Sequence, residues 1–414
     1  MLGAQSASSA DRTTRLIVEP PVAVGRSVLP LEDDQRAASV AAAAGIPAEL
    51  LARFGGSIRQ THRRANVVVI DGPAERQAVL AAALREIGIP ARPPLPVQAL
   101  LNESVPALQV PAVWAAGFLG TGIRVAIVDT GADLAHPDIR DRVIAHADFS
   151  GAGDGDDVGH GTHVAGIIAG GGAVYRGVAP EAALVIAKAL SANGGTEDAV
   201  LAALSWASRQ EVQVLNLSLG GPGSPTSPIS REVDALAAQG ILVCVAAGNA
   251  GPDPRTISSP GDARGALTVG ATDKNGGLAF YSSRGPIPGA RYRKPDLVAI
   301  GGGVARDASC AYGTGVASAR ASVLDHDPCV VPPRYVRMSG TSMATPHVAG
   351  ICALLLEASA RPGETAVAHA ARVRRALIRS ARPLAGATRD DAGAGCIDAA
   401  AALSLLRLKA RAAA

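Results

Sequence analysis

Ser342 stands in GTSMATPHVAG, residues 340–350, and an apolar run, ICALLLEA, follows directly. Small neighbours let a substrate backbone approach the hydroxyl. The pattern predicts a helix that opens at Thr341 or Ser342 and is buried along most of its length. The start of such a helix aims free N–H groups and the positive end of its dipole at one spot. Pro346 falls near the first turn, where a missing N–H costs little. A lone serine at this place is more often an N-cap than a nucleophile. Three upstream residues change that balance. Asp129 closes the buried run IVDTG, a costly place for a carboxylate without partners. His160 opens HGTHVAG after the acidic, glycine-rich loop GAGDGDDVG, and Asn249 closes VAAGN. Taken singly, the aspartate reads equally as a turn cap or a functional carboxylate, and the asparagine more often as a turn former. His160 and His163 are three apart, as metal ligands can be, but no third ligand has supporting spacing, so no metal site is expected. Taken together, the four residues can carry out acyl transfer. Ser342 would attack a carbonyl and His160 would move the proton. Asp129 would orient the imidazole, and the Asn249 amide would bind the oxyanion beside the Ser342 N–H.

Residues far apart in sequence need a scaffold that gathers them. RVAIVDTG, AALVIAKAL, VQVLNLSLG, GILVCVAAGN and ALTVGAT are apolar runs of strand length. Between them TEDAVLAALSWASRQ reads as a helix capped by Thr196 with Glu197 and Asp198 in its first turn, and SREVDALAAQG as another, stopped by Gly240. Alternation of this kind predicts an α/β domain whose mainly parallel sheet is covered on both faces. Asp129, Ser218 and Asn249 then stand at carboxyl ends of strands, where such folds place their sites. Upstream, residues 47–101 read as a small α+β unit: a helix at AELLARFG, one or two strands in SIRQTHRRANVVVIDG, a helix at PAERQAVLAAALREIG and an extended connector, IPARPPLPVQALL. Residues 1–46 hold one candidate strand, TRLIVEP, in mixed Pro-rich and Ala-rich sequence, and residues 102–414 form the large domain.

Composition narrows the function. Of 414 residues 48% are hydrophobic but only 3% aromatic, so the core is built of Ala, Val, Leu and Ile. A net charge of +3 without a basic block argues against nucleic-acid binding. No apolar run approaches the roughly 20 residues of a membrane helix. The first residues, MLGAQSASSADRTTRL, lack the apolar core of a secretory signal. Cys244, Cys352 and Cys396 lie in apolar runs and read as buried thiols, while Cys310 and Cys329 lie in polar sequence, either as a pair or as two free thiols.

VDTG, HGTHVAG, LNLSLGG, VAAGNAG, SSRGP, KPDLVA and GTSMATPHVAG follow one another across roughly residues 105–405. In these motifs and their order the chain resembles the subtilisin-like serine proteases. The resemblance implies a three-layer α/β catalytic domain that cleaves polypeptides, with Asp129, His160 and Ser342 as triad and Asn249 as oxyanion donor. It further implies that Ser218, Leu219 and Gly220 pair with substrate as an added strand would. Ala246, Ala247 and Gly248 would line the primary specificity pocket, with Ser258 near its floor. No charged residue stands among these, which predicts a preference for apolar or medium-sized side chains over basic ones. Residues 47–101 match the place and pattern of a propeptide, a folding helper and inhibitor with its tail near PLPVQALL in the active site, removed by self-cleavage close to residues 100–102. The family is often exported, although no signal is visible in this chain.

Two features depart from the pattern. IIAGGGAVYR, between HVAG and GVAP, is shorter than the family's loop for a strongly bound calcium ion, leaving Asp138 as a lone candidate ligand for a structural calcium. The segment 301–337 is longer than the usual link and reads as a solvated insertion or a cover for the cleft. Rival readings keep the scaffold and change the outcome: a peptide ligase, in which an amine takes the acyl group, an esterase, or a non-catalytic peptide-binding module, against which the intact triad argues.

Overall fold

The computed structural model describes residues 13–18, 45–62, 67–92, 101–303, 314–327 and 329–411. The chain divides into two compact units, residues 1–98 and 99–414. The small unit is a four-stranded antiparallel sheet, order β2-β3-β1-β4, built from β1 (Thr13–Val18), β2 (Ser57–His62), β3 (Val67–Pro73) and β4 (Ala91–Arg92). Helices α1 (Ala48–Phe54) and α2 (Ala74–Glu86) belong to it. Leu16, Val18, Val68, Ile70, Leu80 and Leu84 form its core. The expected boundary at residue 47 therefore lies too late. β1 pairs with β3 along six residues and also with β4, so the sheet would lose an interior strand without Thr13–Val18. The expected cleavage region overlaps residues 93–100, which lie outside the described residues.

The large unit opens with two short helices, α3 (Leu101–Ala107) and α4 (Val110–Ala115), and is organised by a seven-stranded parallel sheet, order β13-β12-β11-β10-β5-β7-β6. Its strands are β5 (Arg124–Asp129), β6 (Val143–Asp148), β7 (Ala183–Lys188), β10 (Val214–Leu217), β11 (Leu242–Ala246), β12 (Leu267–Thr272) and β13 (Leu297–Ile300). Two-residue strands β8 (Leu190–Ser191) and β9 (Gly194–Gly195) form a ribbon after β7. The five apolar runs became strands because both faces of the sheet are covered. Val125 and Ile127 face one core and Ala126 and Val128 the other, the period of two expected of a strand. The sequence reading lacked β6 and β13. β6 is an edge strand with alternating exposure, and β13 is only four residues long.

Helices α6 (Glu197–Ser208) and α7 (Pro228–Ala238) cover one face. The other carries α5 (His160–Ala169), α8 (Thr341–Ser359), α9 (Ala366–Ser380) and α11 (Ala399–Arg411), and a short helix α10 (Arg389–Ala392) lies between the last two in sequence. α8 is the long buried helix that its sequence predicts. Thr196 stands at the start of α6, but its side chain makes no cap bond. Between β13 and α8 lies a small antiparallel sheet of β14 (Val316–Ala319), β15 (Val330–Val331) and β16 (Tyr335–Met338). Part of the long segment is thus a folded sheet packed against α5 rather than a solvated insertion: His163 Nε2 lies 2.9 Å from the Val316 carbonyl and 3.2 Å from that of Val336. Cys244 and Cys352 are buried free thiols, while the free thiol Cys396 is only half-buried. Cys329 is disulfide-bonded, and Cys310 lies outside the described residues.

Candidate active site

β5 is the point where the strand order turns: β7 and β6 lie on one side and β10 to β13 on the other. Such a reversal leaves a crevice at the carboxyl ends of the strands. Asp129 is the last residue of β5, Ser218 follows β10, and Asn249 stands three residues past β11. The N-termini of α5 and α8 deliver His160 and Ser342 to the same crevice, a cleft of about 880 Å³ lined by both.

Asp129 is fully buried, and its Oδ1 accepts hydrogen bonds from His160 Nδ1 at 2.7 Å and from the Thr130 N–H at 2.8 Å. A carboxylate can only accept here, so Nδ1 carries the proton and Nε2 is left as a base. Burial, the largest single influence on His160, opposes its charging, but the adjacent Asp129 charge and hydrogen bond, with help from Asp156, outweigh it and raise its pKa. Asp156 was not singled out by the sequence reading. Its carboxylate accepts from Thr130 Oγ1, the Gly159 N–H and the N–H and hydroxyl of Thr162, fastening the start of α5 to the end of β5. Gly161 permits the close approach, since a Cβ there would collide with the Gly131 carbonyl.

His163 takes no part in this crevice. It points into the β14/β16 sheet, and burial lowers its pKa to about 3, so it stays neutral.

Ser342 is the second residue of α8, and its Oγ donates to the Ser218 carbonyl at 3.1 Å. Pro346 is the sixth residue of the helix, deeper than the first turn that the sequence suggested. Its missing N–H would have bonded the Ser342 carbonyl. Ser218 Oγ supplies the replacement donor at 2.8 Å and is itself held by Asn216 Nδ2 at 3.0 Å. The proline thus frees a carbonyl by which the β10 loop grips the serine. Asn249 Oδ1 accepts from both the N–H and the hydroxyl of Thr341, at 2.9 and 3.0 Å. With the oxygen so occupied, the Nδ2 donors are left for the cleft that Asn249 and Ser342 line.

Ser218, Leu219, Gly220, Ala246, Gly248 and Ser258 all line the cleft. Ala247 does not. It is fully buried, and its carbonyl accepts from the Ser258 N–H and hydroxyl. A Cβ on Gly220 would come within 2.5 Å of Ser258 Oγ, and one on Gly248 within 2.8 Å, so the recess exists because both are glycine. Glu197 also lines the cleft. From sequence it reads only as a first-turn acid, and nothing local could show that α6 begins at the cleft.

Asp138 is engaged elsewhere: its Oδ2 accepts the Tyr335 hydroxyl at 2.7 Å, and the Tyr335 ring packs against Tyr175 of the shortened loop at 4.2 Å between centroids. Among the described residues no three His, Cys, Asp or Glu gather as for a metal ion. Asp138, the lone candidate ligand, is thus taken up by Tyr335.

These elements and this cleft define a class, the α/β hydrolytic scaffold with an Asp–His–Ser set. Residues 120–396 match the Subtilase family, Peptidase_S8, and the chain belongs to that family. It is 38% identical over 293 residues to serine protease AprX of Bacillus subtilis (strain 168), covering 63% of this chain and 63% of AprX. It is 32% identical over 317 residues to the membrane-bound transcription factor site-1 protease of Rattus norvegicus, spanning only 28% of that protein and 75% of this one. Subtilisin DY of Bacillus licheniformis is 35% identical over 259 residues, 61% of this chain and 83% of that protein. Among solved structures, a protease of Pseudoalteromonas arctica PAMC 21717 superposes with a TM-score of 0.59 at 28% identity, covering 72% of this chain and 94% of that one.

Proposed function

We propose that the protein is a serine endopeptidase made as a self-processing precursor. The observation that carries this is the Asp129–His160 contact of 2.7 Å in the same cleft as a serine at the N-terminus of a buried helix. Ser342 Oγ turns from the Ser218 carbonyl, gives its proton to His160 Nε2 and bonds to the carbonyl carbon of the scissile peptide. The carbonyl π pair moves onto oxygen, which sits between the Ser342 N–H and Asn249 Nδ2. Collapse restores the carbonyl, breaks the C–N bond and sends the proton from His160 to the departing amine. Water then repeats the sequence on the acyl-enzyme and releases the acid. No cofactor is needed for these steps. The primary pocket between Gly220 and Gly248 offers Ser258 and no charge, which favours an apolar or medium-sized residue before the scissile bond. The small unit serves as the propeptide, a second partner beside polypeptide substrates. Ser342→Ala should lose casein hydrolysis by a factor on the order of 10⁶, the size found for such a loss in a subtilisin. Activity kept by that variant would place the nucleophile elsewhere.

A further inference from the structure

Leu190, Leu219 and Ile229, each half-buried, give the same cleft apolar lining besides the residues expected for the primary pocket. Glu197, the first residue of α6, stands exposed and lines this same cleft. It is the only carboxylate among the described residues that line the cleft, and no lysine or arginine joins it there. Neither a hydrogen bond nor an ion pair engages its side chain among the described residues. A carboxylate at a helix N-terminus has a plain use in balancing the dipole, but Asp198 already stands in the same turn.

We propose that Glu197 makes the enzyme prefer a lysine or arginine upstream of the residue held in the primary pocket. This rests on the endopeptidase reading above. A substrate paired with Ser218–Gly220 runs along the cleft as a strand, and a side chain farther from the scissile bond passes over Leu219. A lysine or arginine lays its aliphatic stem on the leucines and carries its charge to the rim. A neutral chain of equal length covers the leucines but leaves the carboxylate without a partner, and an acidic chain meets a like charge. The primary pocket stays apolar, so the protein selects a mixed sequence: a cationic residue, a short spacer, then an apolar residue before the cut. The pair is solvent-exposed, so the selectivity is modest, about two- to fivefold, and is screened by salt.

The test uses peptides with leucine before the scissile bond and lysine, norleucine or glutamate at each of the second to fourth upstream positions. The wild type as purified is assayed for kcat/KM, and its binding of the same sequences carrying a reduced, uncleavable scissile bond is measured in parallel. Lysine should lead norleucine about two- to fivefold at one position, in turnover and in binding, with glutamate last. The lead should shrink with added salt, vanish in Glu197→Gln and reverse in Glu197→Lys. Equal use of lysine and norleucine by the wild type, or a lead that survives in Glu197→Gln, overturns the proposal. A lower melting temperature in Glu197→Gln with selectivity unchanged would assign the residue to the helix dipole alone. If no peptide is cut while the wild type still binds the uncleavable lysine sequence best, the endopeptidase reading falls and the selectivity of the cleft stands.

Discussion

At the scale of single residues the site depends on groups that orient other groups. Asn249 can offer Nδ2 to an oxyanion because Thr341 holds its oxygen with two hydrogen bonds. Asn249→Ala should lower kcat by about 10²–10³ with little change in KM, a cost of about 2.7–4 kcal/mol carried over from a subtilisin. Thr341→Val keeps the N–H bond and loses the hydroxyl bond, so its fall in kcat should be smaller. Steady-state kinetics on one peptide checks both, and a rise in KM alone would contradict the role. His160 must be neutral to accept a proton. Its pKa is raised, so it remains protonated to higher pH than a free imidazole, and activity should fall on the acid side through a midpoint above about 6.5. Asp129→Asn removes the charge that opposes the effect of burial, so the midpoint should move to lower pH while kcat drops by about 10⁴. A kcat/KM–pH profile of each enzyme reads the sign.

At the scale of elements, α8 and the shortened loop carry the arguments. α8 was legible because its apolar residues surround the helix rather than line one side, the mark of a buried helix. The proposed triad stood out in the sequence for a related reason: Asp129, His160 and Ser342 each stand where an apolar run meets small or polar residues. Thr341, Asp156 and Glu197 did not, because their roles depend on which other loop lies opposite, and no local pattern encodes that. β6 was hidden by its edge position, and the depth of Pro346 could be judged only after the helix start was fixed. The shortened loop brings Tyr175 to Tyr335, whose hydroxyl occupies Asp138. The lone candidate ligand for a cation is thus engaged by a side chain of the same fold. Thermal melts in calcium and in chelator should superimpose, and a fall of many degrees on chelation would show a site that these residues do not build.

At the scale of the whole molecule, the chain holds two units with separate cores. The parallel sheet of the large unit and the cover on both its faces could be expected from its alternating runs. The extent of the small unit could not, because Thr13–Val18 joins its sheet from across a long intervening stretch. Ser104 and His347 are both buried, and the Ser104 hydroxyl lies 2.9 Å from His347 Nε2 on α8. This ties the first helix of the large unit to α8 and would survive a cut near residues 100–102. The most direct test of the account is intact mass on the wild type and Ser342→Ala, purified side by side, with casein hydrolysis on each. The account predicts a wild type shortened to a chain beginning near residue 102 and active, beside a full-length, inert Ser342→Ala. A full-length, inactive wild type, or a Ser342→Ala that shortens at the same place when purified alone, would contradict it.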